Sequence, residues 1–216
     1  MAADKFDWDE FKTTITYLKK GVEELYFRDV IKAATDHSII KFDDSSVSVL
    51  KQIDDYIKNN FNSLSNTIEK NYSGRINEVG NYIETLLKSQ INTIGKIKCS
   101  TATLADGSAQ SSGYPDYLIQ SSDITIYADV KAFQAKTLES SLRSFYYQPT
   151  NQIKIHKDAP HCLIGFEVKS ISGENKSPFR LVGYKIIDLY ELQVNFKAEF
   201  NANNIEVYSL KTLFKI

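Results

Sequence analysis

Asp116, Asp129 and Lys131 are the residues of this chain whose types and spacing can do chemistry. They fall in the stretch Tyr114–Phe133, YPDYLIQSSDITIYADVKAF. It holds two apolar runs, Tyr117-Leu118-Ile119 and Ile124 to Phe133, joined by the polar Gln120-Ser121-Ser122-Asp123. That pattern reads as two neighbouring strands with a tight connection. Strand side chains alternate, so Ile124, Ile126, Ala128 and Val130 share one face of the second run. Thr125, Tyr127, Asp129 and Lys131 share the other. Asp129 and Lys131 therefore project the same way, about 6–7 Å apart along the strand. Asp116 enters the neighbouring strand right after Pro115, whose fixed φ suits a strand start. Pairing of the two strands would bring Asp116 towards Asp129 and Lys131. Two carboxylates at one point repel unless a cation lies between them. Hard oxygen donors suit Mg²⁺, which also binds substrate phosphate. A lysine beside them can orient or help deprotonate an attacking water, or stabilise charge on a pentavalent phosphate. The constellation is one for phosphodiester hydrolysis.

The order Pro115-Asp116, twelve intervening residues, then Asp129-Val130-Lys131 resembles the PD-(D/E)xK motif of type II restriction endonucleases and their relatives. The resemblance is specific over about Tyr114 to Val168, with the DxK on an alternating strand and the PD opening an adjacent one. It implies an α/β fold: a restriction-endonuclease-like core with a central mixed β-sheet flanked by helices, behind a helical N-terminal region. The boundaries expected are 1–74 for the helical region, a dimerisation or DNA-clasping element, and 75–216 for the nuclease core. The activity implied is Mg²⁺-dependent hydrolysis of double-stranded DNA at a short specific sequence. Asp116 and Asp129 would hold the metal, and Lys131 would act on the attacking water or the phosphate charge. In many such nucleases the helix before the core strands adds a further carboxylate, and here Glu84 or Glu78 is the candidate. A restriction enzyme cutting a palindrome would be a homodimer, because protein and site symmetry match. Two other readings stand beside this one: a structure-directed repair or recombination nuclease, and a non-catalytic interaction protein on the same fold.

The elements that must position these residues follow from hydrophobic periodicity. Residues 7–35 read as helix, capped by Asp7 with Glu10 at the capping-box position, and striped by Phe11, Ile15, Leu18, Val22 and Leu25. Gly21 is a candidate break, and Trp8 and Phe27 read as packing residues. A second helix spans 47–70, with Leu50, Ile53, Ile57, Leu64 and Ile68 on one side. Asn71-Tyr72-Ser73-Gly74 stops it, and a third helix follows over 75–95. The two read as an antiparallel hairpin, serving as a dimerisation arm or as a cover for the sheet. Residues 97–104 read as a first core strand, followed by the polar loop ADGSAQSSG.

Beyond the central stretch, Lys136 to Tyr147 reads as a helix burying Leu138, Leu142 and Phe145. A strand–helix–strand order implies a crossover to a parallel neighbour, and HCLIGFEV at 161–168 is apolar enough to be that central strand. The polar, basic segment between them supplies candidates for phosphate or base contacts. These are Gln148, Asn151, Gln152, Lys154, His156 and Lys157, with Arg143 and Tyr147 upstream. Phe179 to Leu189 reads as a further strand, and Tyr190 to Phe200 as a short helix or meander.

Composition sets the outer limits. The chain has 216 residues, 42% hydrophobic and 25% charged, which suits a globular domain with a sizeable core. No apolar run approaches a membrane span, and MAADKFDWDEF is too acidic for a signal peptide. A cytoplasmic protein with no membrane partner is expected. Cys99 and Cys162 form no metal-binding pattern and read as reduced thiols. Net charge is −1, but its distribution is uneven. Residues 1–60 carry nine Lys/Arg against twelve Asp/Glu, and residues 131–185 carry nine against four, so a phosphate-binding face would come from the second half. There is no GxSxG, Walker A loop, dinucleotide GxGxxG or zinc spacing.

Overall fold

The computed structural model describes residues 7–110, 113–137, 145–150, 152–173 and 177–197. Two compact units form: among the described residues, 7–25 with 193–197, and Tyr26–Leu192. In the smaller unit the helix α1 (Trp8–Lys20) is capped by Asp7, whose side chain accepts from the backbone N–H of Asp9 and Glu10. It ends at Gly21, where φ of +63° suits a residue without Cβ. The strand β1 (Val22–Tyr26) follows where helix was expected, and pairs with β7 (Gln193–Phe196). Glu24 N–H also donates to Asn195 Oδ1 at 3.0 Å. A partner far along the chain outweighs local helix propensity here. Trp8, expected to pack, meets Phe11 edge-on while remaining 64% exposed. Of the reading over Tyr190 to Phe200, the described part, 190–197, is a turn followed by β7, and 198–200 lie outside the described residues.

In the larger unit α2 (Phe27–Thr35) buries Phe27, Ile31 and Thr35. The long helix α3 (Asp44–Asn71) starts three residues before its expected first residue, because Asp43 and Ser46 form a reciprocal capping box. A 3₁₀ turn, Ile76–Glu78, leads into α4 (Val79–Ile91), which buries Val79, Ile83, Leu87 and Ile91 four residues apart. Tyr72 meets Tyr82, and Tyr56 O–H donates to Gln90, so α3 and α4 run antiparallel. Their apolar faces join the buried side chains of one sheet face. Within this chain the hairpin is a cover for the sheet.

That sheet has five strands: β2 (Lys98–Thr101), β3 (Tyr117–Ser121), β4 (Ile124–Phe133), β5 (His161–Ser170) and β6 (Phe179–Asp188), in that spatial order. Every pairing is antiparallel except β4–β5, which is parallel. This is the mixed, helix-flanked sheet expected of the α/β class. β3 and β4 are joined through Ser122, at φ +54°, and Asp123. Ile126, Ala128 and Val130 of β4 enter the core under α3 and α4 with Ile119, Cys162 and Ile164. Each buried aliphatic side chain contributes about 1.5–3 kcal/mol. The opposite face of β4 carries Tyr127, Asp129 and Lys131, as the alternation read from the sequence requires.

Between β4 and β5 the expected helix over 136–147 takes a different form at both of its described ends. A 3₁₀ turn spans Ala135–Thr137, and Phe145 to Thr150 has no regular structure. Residues 138–144 lie outside the described residues. Phe145 packs edge-on against Phe27 and Tyr114, so nonlocal aromatic contacts hold it. No helix among the described residues is long and apolar enough to cross a membrane.

Candidate active site

Asp116 stands one residue before β3. Tyr117 and Ala128 are the first residue pair of the β3–β4 ladder, and beyond it the Asp116 side chain takes over the pairing. Its Oδ2 accepts the Val130 N–H at 2.8 Å, while its backbone carbonyl accepts the Ala102 N–H at 3.1 Å. The carboxylate is thereby held against β4. Asp129, 3% exposed, projects from β4 with Lys131. Lys131 Nζ lies 2.5 Å from Asp129 Oδ2 and 3.8 Å from Asp116 Oδ2. The three expected residues meet, and one ammonium is shared by two carboxylates.

The charges perturb one another. Burial first, then the neighbouring Asp116 carboxylate, pushes the Asp129 carboxyl well above the usual carboxylate range, with Lys131 acting against the shift. Burial works to lower the Lys131 ammonium, but Asp129 and Asp116 outweigh it and hold its pKa above the ordinary lysine value. Glu84 on α4 is half-buried, and its pKa is raised by burial and then by Asp116. Its backbone carbonyl accepts the Tyr117 hydroxyl, which ties this turn of α4 to the start of β3. Glu78 is exposed on the 3₁₀ turn. Among the described residues no three His, Cys, Asp or Glu side chains form a ready cluster of metal ligands. Asp116 and Asp129 present carboxylate oxygens, and Glu84 is a further carboxyl within electrostatic reach of Asp116 and Lys131.

A cleft of about 250 Å³ opens over these groups, lined in part by Asp116, Asp129, Lys131, Tyr146, Gln148 and Gln152. The candidate nucleic-acid residues divide around it. Gln148 and Gln152 are exposed on its wall. Tyr147 is half-buried and packs edge-on against Phe27 and Tyr114. Lys154 also lines the cleft but is only 4% exposed. Its Nζ donates to the Gly113 carbonyl at 2.9 Å and the Pro115 carbonyl at 3.4 Å. Lys157 is exposed and stands outside the cleft lining. His156 turns its ring to the Thr103 carbonyl, with Nε2 at 2.9 Å. Arg143 and Asn151 lie outside the described residues. Tyr146, 55% exposed on the wall, escaped the sequence reading, although it sits in an aromatic run, Phe145-Tyr146-Tyr147. His161 is no base. It is fully buried, its Nδ1 bonds the Tyr114 hydroxyl at 2.7 Å, and burial lowers its pKa to about 3.

A mixed sheet carrying Asp129 and Lys131 on its parallel pair, with Asp116 at the head of the adjoining strand, defines a nuclease of the PD-(D/E)xK class. Comparison with known proteins agrees. The model of the type II restriction enzyme MjaV family matches residues 21–211. The type II restriction enzyme MjaV of Methanocaldococcus jannaschii is 30% identical over 223 residues, covering 95% of this chain and 94% of that protein. The chain belongs to the MjaV family of type II restriction enzymes, and is accordingly a site-specific deoxyribonuclease acting on double-stranded DNA.

Proposed function

We propose that the chain cleaves double-stranded DNA in a Mg²⁺-dependent reaction centred on Asp116, Asp129 and Lys131. The observation that carries this is the convergence of two carboxylates on one ammonium at the floor of the cleft. The donor set suits a hard divalent cation. Both carboxylates offer oxygen, and the upward pKa shift of Asp129, set by burial and then by the Asp116 charge, is one that a bound cation would oppose. Asp116 and Asp129 would hold the ion, with Glu84 rather than Glu78 as the third carboxylate. A bound divalent ion supplies Lewis acidity and countercharge to a phosphodiester. The chain's own groups do the rest. The Val130 N–H fixes the Asp116 carboxylate before substrate arrives, so little reorganisation is needed. Lys131 swings its ammonium between carboxylate and phosphate, orienting the attacking water and offsetting charge on the phosphoryl oxygens.

Gln148, Gln152, Tyr146 and Tyr147 on the cleft wall supply hydrogen-bonding and stacking groups for the duplex, and Arg143, Asn151 and Lys157 remain candidates for phosphate contact. A two-fold homodimer is the matching assembly for a palindromic site, and the cytoplasm is the matching compartment for buried, unpaired Cys99 and Cys162. Digestion of a mixed-sequence duplex tests the reading. Discrete fragments that form with Mg²⁺ and not with EDTA are expected; fragments that persist in EDTA, or random degradation, would contradict it.

A further inference from the structure

Lys154 is the one lysine among the described residues that is buried. An isolated buried ammonium is costly unless it is paired or fully hydrogen-bonded. This one sits in the cleft wall, in the field of Asp116, Glu84 and Asp129, which offset part of the lowering that burial imposes on it. Its hydrogen bonds go to two specific places: the carbonyls of Gly113 and Pro115, on either side of Tyr114 and immediately before Asp116. The segment that carries it is fastened on the next residues as well. Ile155 is 1% exposed, the His156 N–H donates to the Tyr127 hydroxyl at 2.9 Å, and the His156 ring reaches the Thr103 carbonyl. On the other side of Lys154 the same segment presents Gln148 and Gln152 on the cleft wall. One side chain therefore joins the wall of the cleft to the turn that aims Asp116.

We infer that Lys154 is a positioning residue: it clamps the Gly113–Pro115 turn so that Asp116 keeps its bond to Val130, and it couples the cleft-wall segment to the cleavage centre. The inference rests on the proposed nuclease reading, and it assigns Lys154 to the carbonyls of the chain instead of to DNA phosphates. Lost coupling should appear in the rate of cleavage and leave binding nearly intact. A displacement of about 1 Å at a reacting group can cost on the order of 10²-fold in rate.

The test compares wild type, Lys154→Met and Lys154→Arg by two readouts. The first is exchange of the Val130 amide followed by NMR without metal or DNA. The second is duplex binding in Ca²⁺ set against the cleavage rate constant in Mg²⁺. Lys154→Met is expected to speed Val130 exchange about ten-fold, the equivalent of one lost hydrogen bond. It should lower the cleavage rate constant about 100-fold while duplex affinity stays within about three-fold. Lys154→Arg retains donors for both carbonyls and should recover most of the rate and protection. Weakened binding at unchanged rate would overturn the inference in favour of a phosphate contact, and so would slow cleavage with Val130 exchange unaltered. If Lys154→Met does not fold, an arginine variant that folds and protects Val130 yet cleaves slowly overturns it. If wild type never cuts DNA while Val130 exchange still responds, the nuclease reading fails and the clamp stands.

Discussion

Replacing Asp129 by asparagine should stabilise the metal-free protein at neutral pH while destroying its chemistry. Asp129 is 3% exposed. Burial and then Asp116 lift its carboxyl from an ordinary 3.8 to about 7. Between those values the folded protein keeps a proton that the unfolded chain has released. A group raised in this way stabilises the fold in full below the unfolded value, and that contribution is lost as pH rises through the folded value. At 1.36 kcal/mol for each ten-fold change in proton affinity, the ionised form costs roughly 2–4 kcal/mol at pH 8, the lower figure allowing for relaxation around Lys131. Asparagine matches the carboxyl in size, cannot ionise, and still offers Lys131 Nζ an acceptor. For a chain of this length the gain is about 5–15 °C in melting temperature. Thermal melts of both proteins in EDTA at about pH 3.5, 6 and 8 provide the assay. The curves should nearly coincide at the lowest pH and separate as pH rises, with the variant above wild type. Mg²⁺ should then narrow the gap by binding wild type alone. Equal stability at every pH, or a variant less stable at pH 8, would refute the electrostatic argument.

Other consequences follow from the same contacts. Glu84→Gln should slow cleavage about 10–100-fold, whereas Glu78→Gln should leave the rate unchanged; the pair of rate measurements separates the two carboxylates. Asp116→Ala removes a proposed metal ligand and also the acceptor of the Val130 N–H, so it should abolish cleavage and lower stability by about 1–3 kcal/mol in denaturant titration. Ile57→Ala, at a fully buried position on α3, should cost about 2–5 kcal/mol without changing the sequence that is cut.

The central stretch was legible because strand alternation is local. Once β4 is a strand, Asp129 and Lys131 must share a face, and Val130 must point into the core. The helices α3 and α4 were legible for the same reason, from apolar residues three and four apart. What failed were assignments that depend on distant partners. Val22–Tyr26 carries an apolar stripe compatible with helix, but its backbone pairs with a strand some 170 residues on. Phe145 looked like the buried end of a helix, and it is half-buried, packed edge-on against Phe27 and Tyr114 instead. Lys154 read as a surface cation in a polar segment. The flanking Ile153 and Ile155 hinted at burial, but the carbonyls that receive its ammonium are brought to it only by the fold. The choice between Glu84 and Glu78 had the same character, since it depends on how α4 lies against β3.

On the proposed reading, Asp116, Asp129 and Lys131 form a metal-dependent cleavage centre distinct from the groups that hold DNA. The most direct measurement loads wild type and Asp129→Ala onto a duplex containing the cut sequence in Ca²⁺, then replaces Ca²⁺ with Mg²⁺. Both proteins should bind, and wild type alone should cut. Cleavage by Asp129→Ala at the wild-type rate would contradict the assignment of the cleavage centre to these residues.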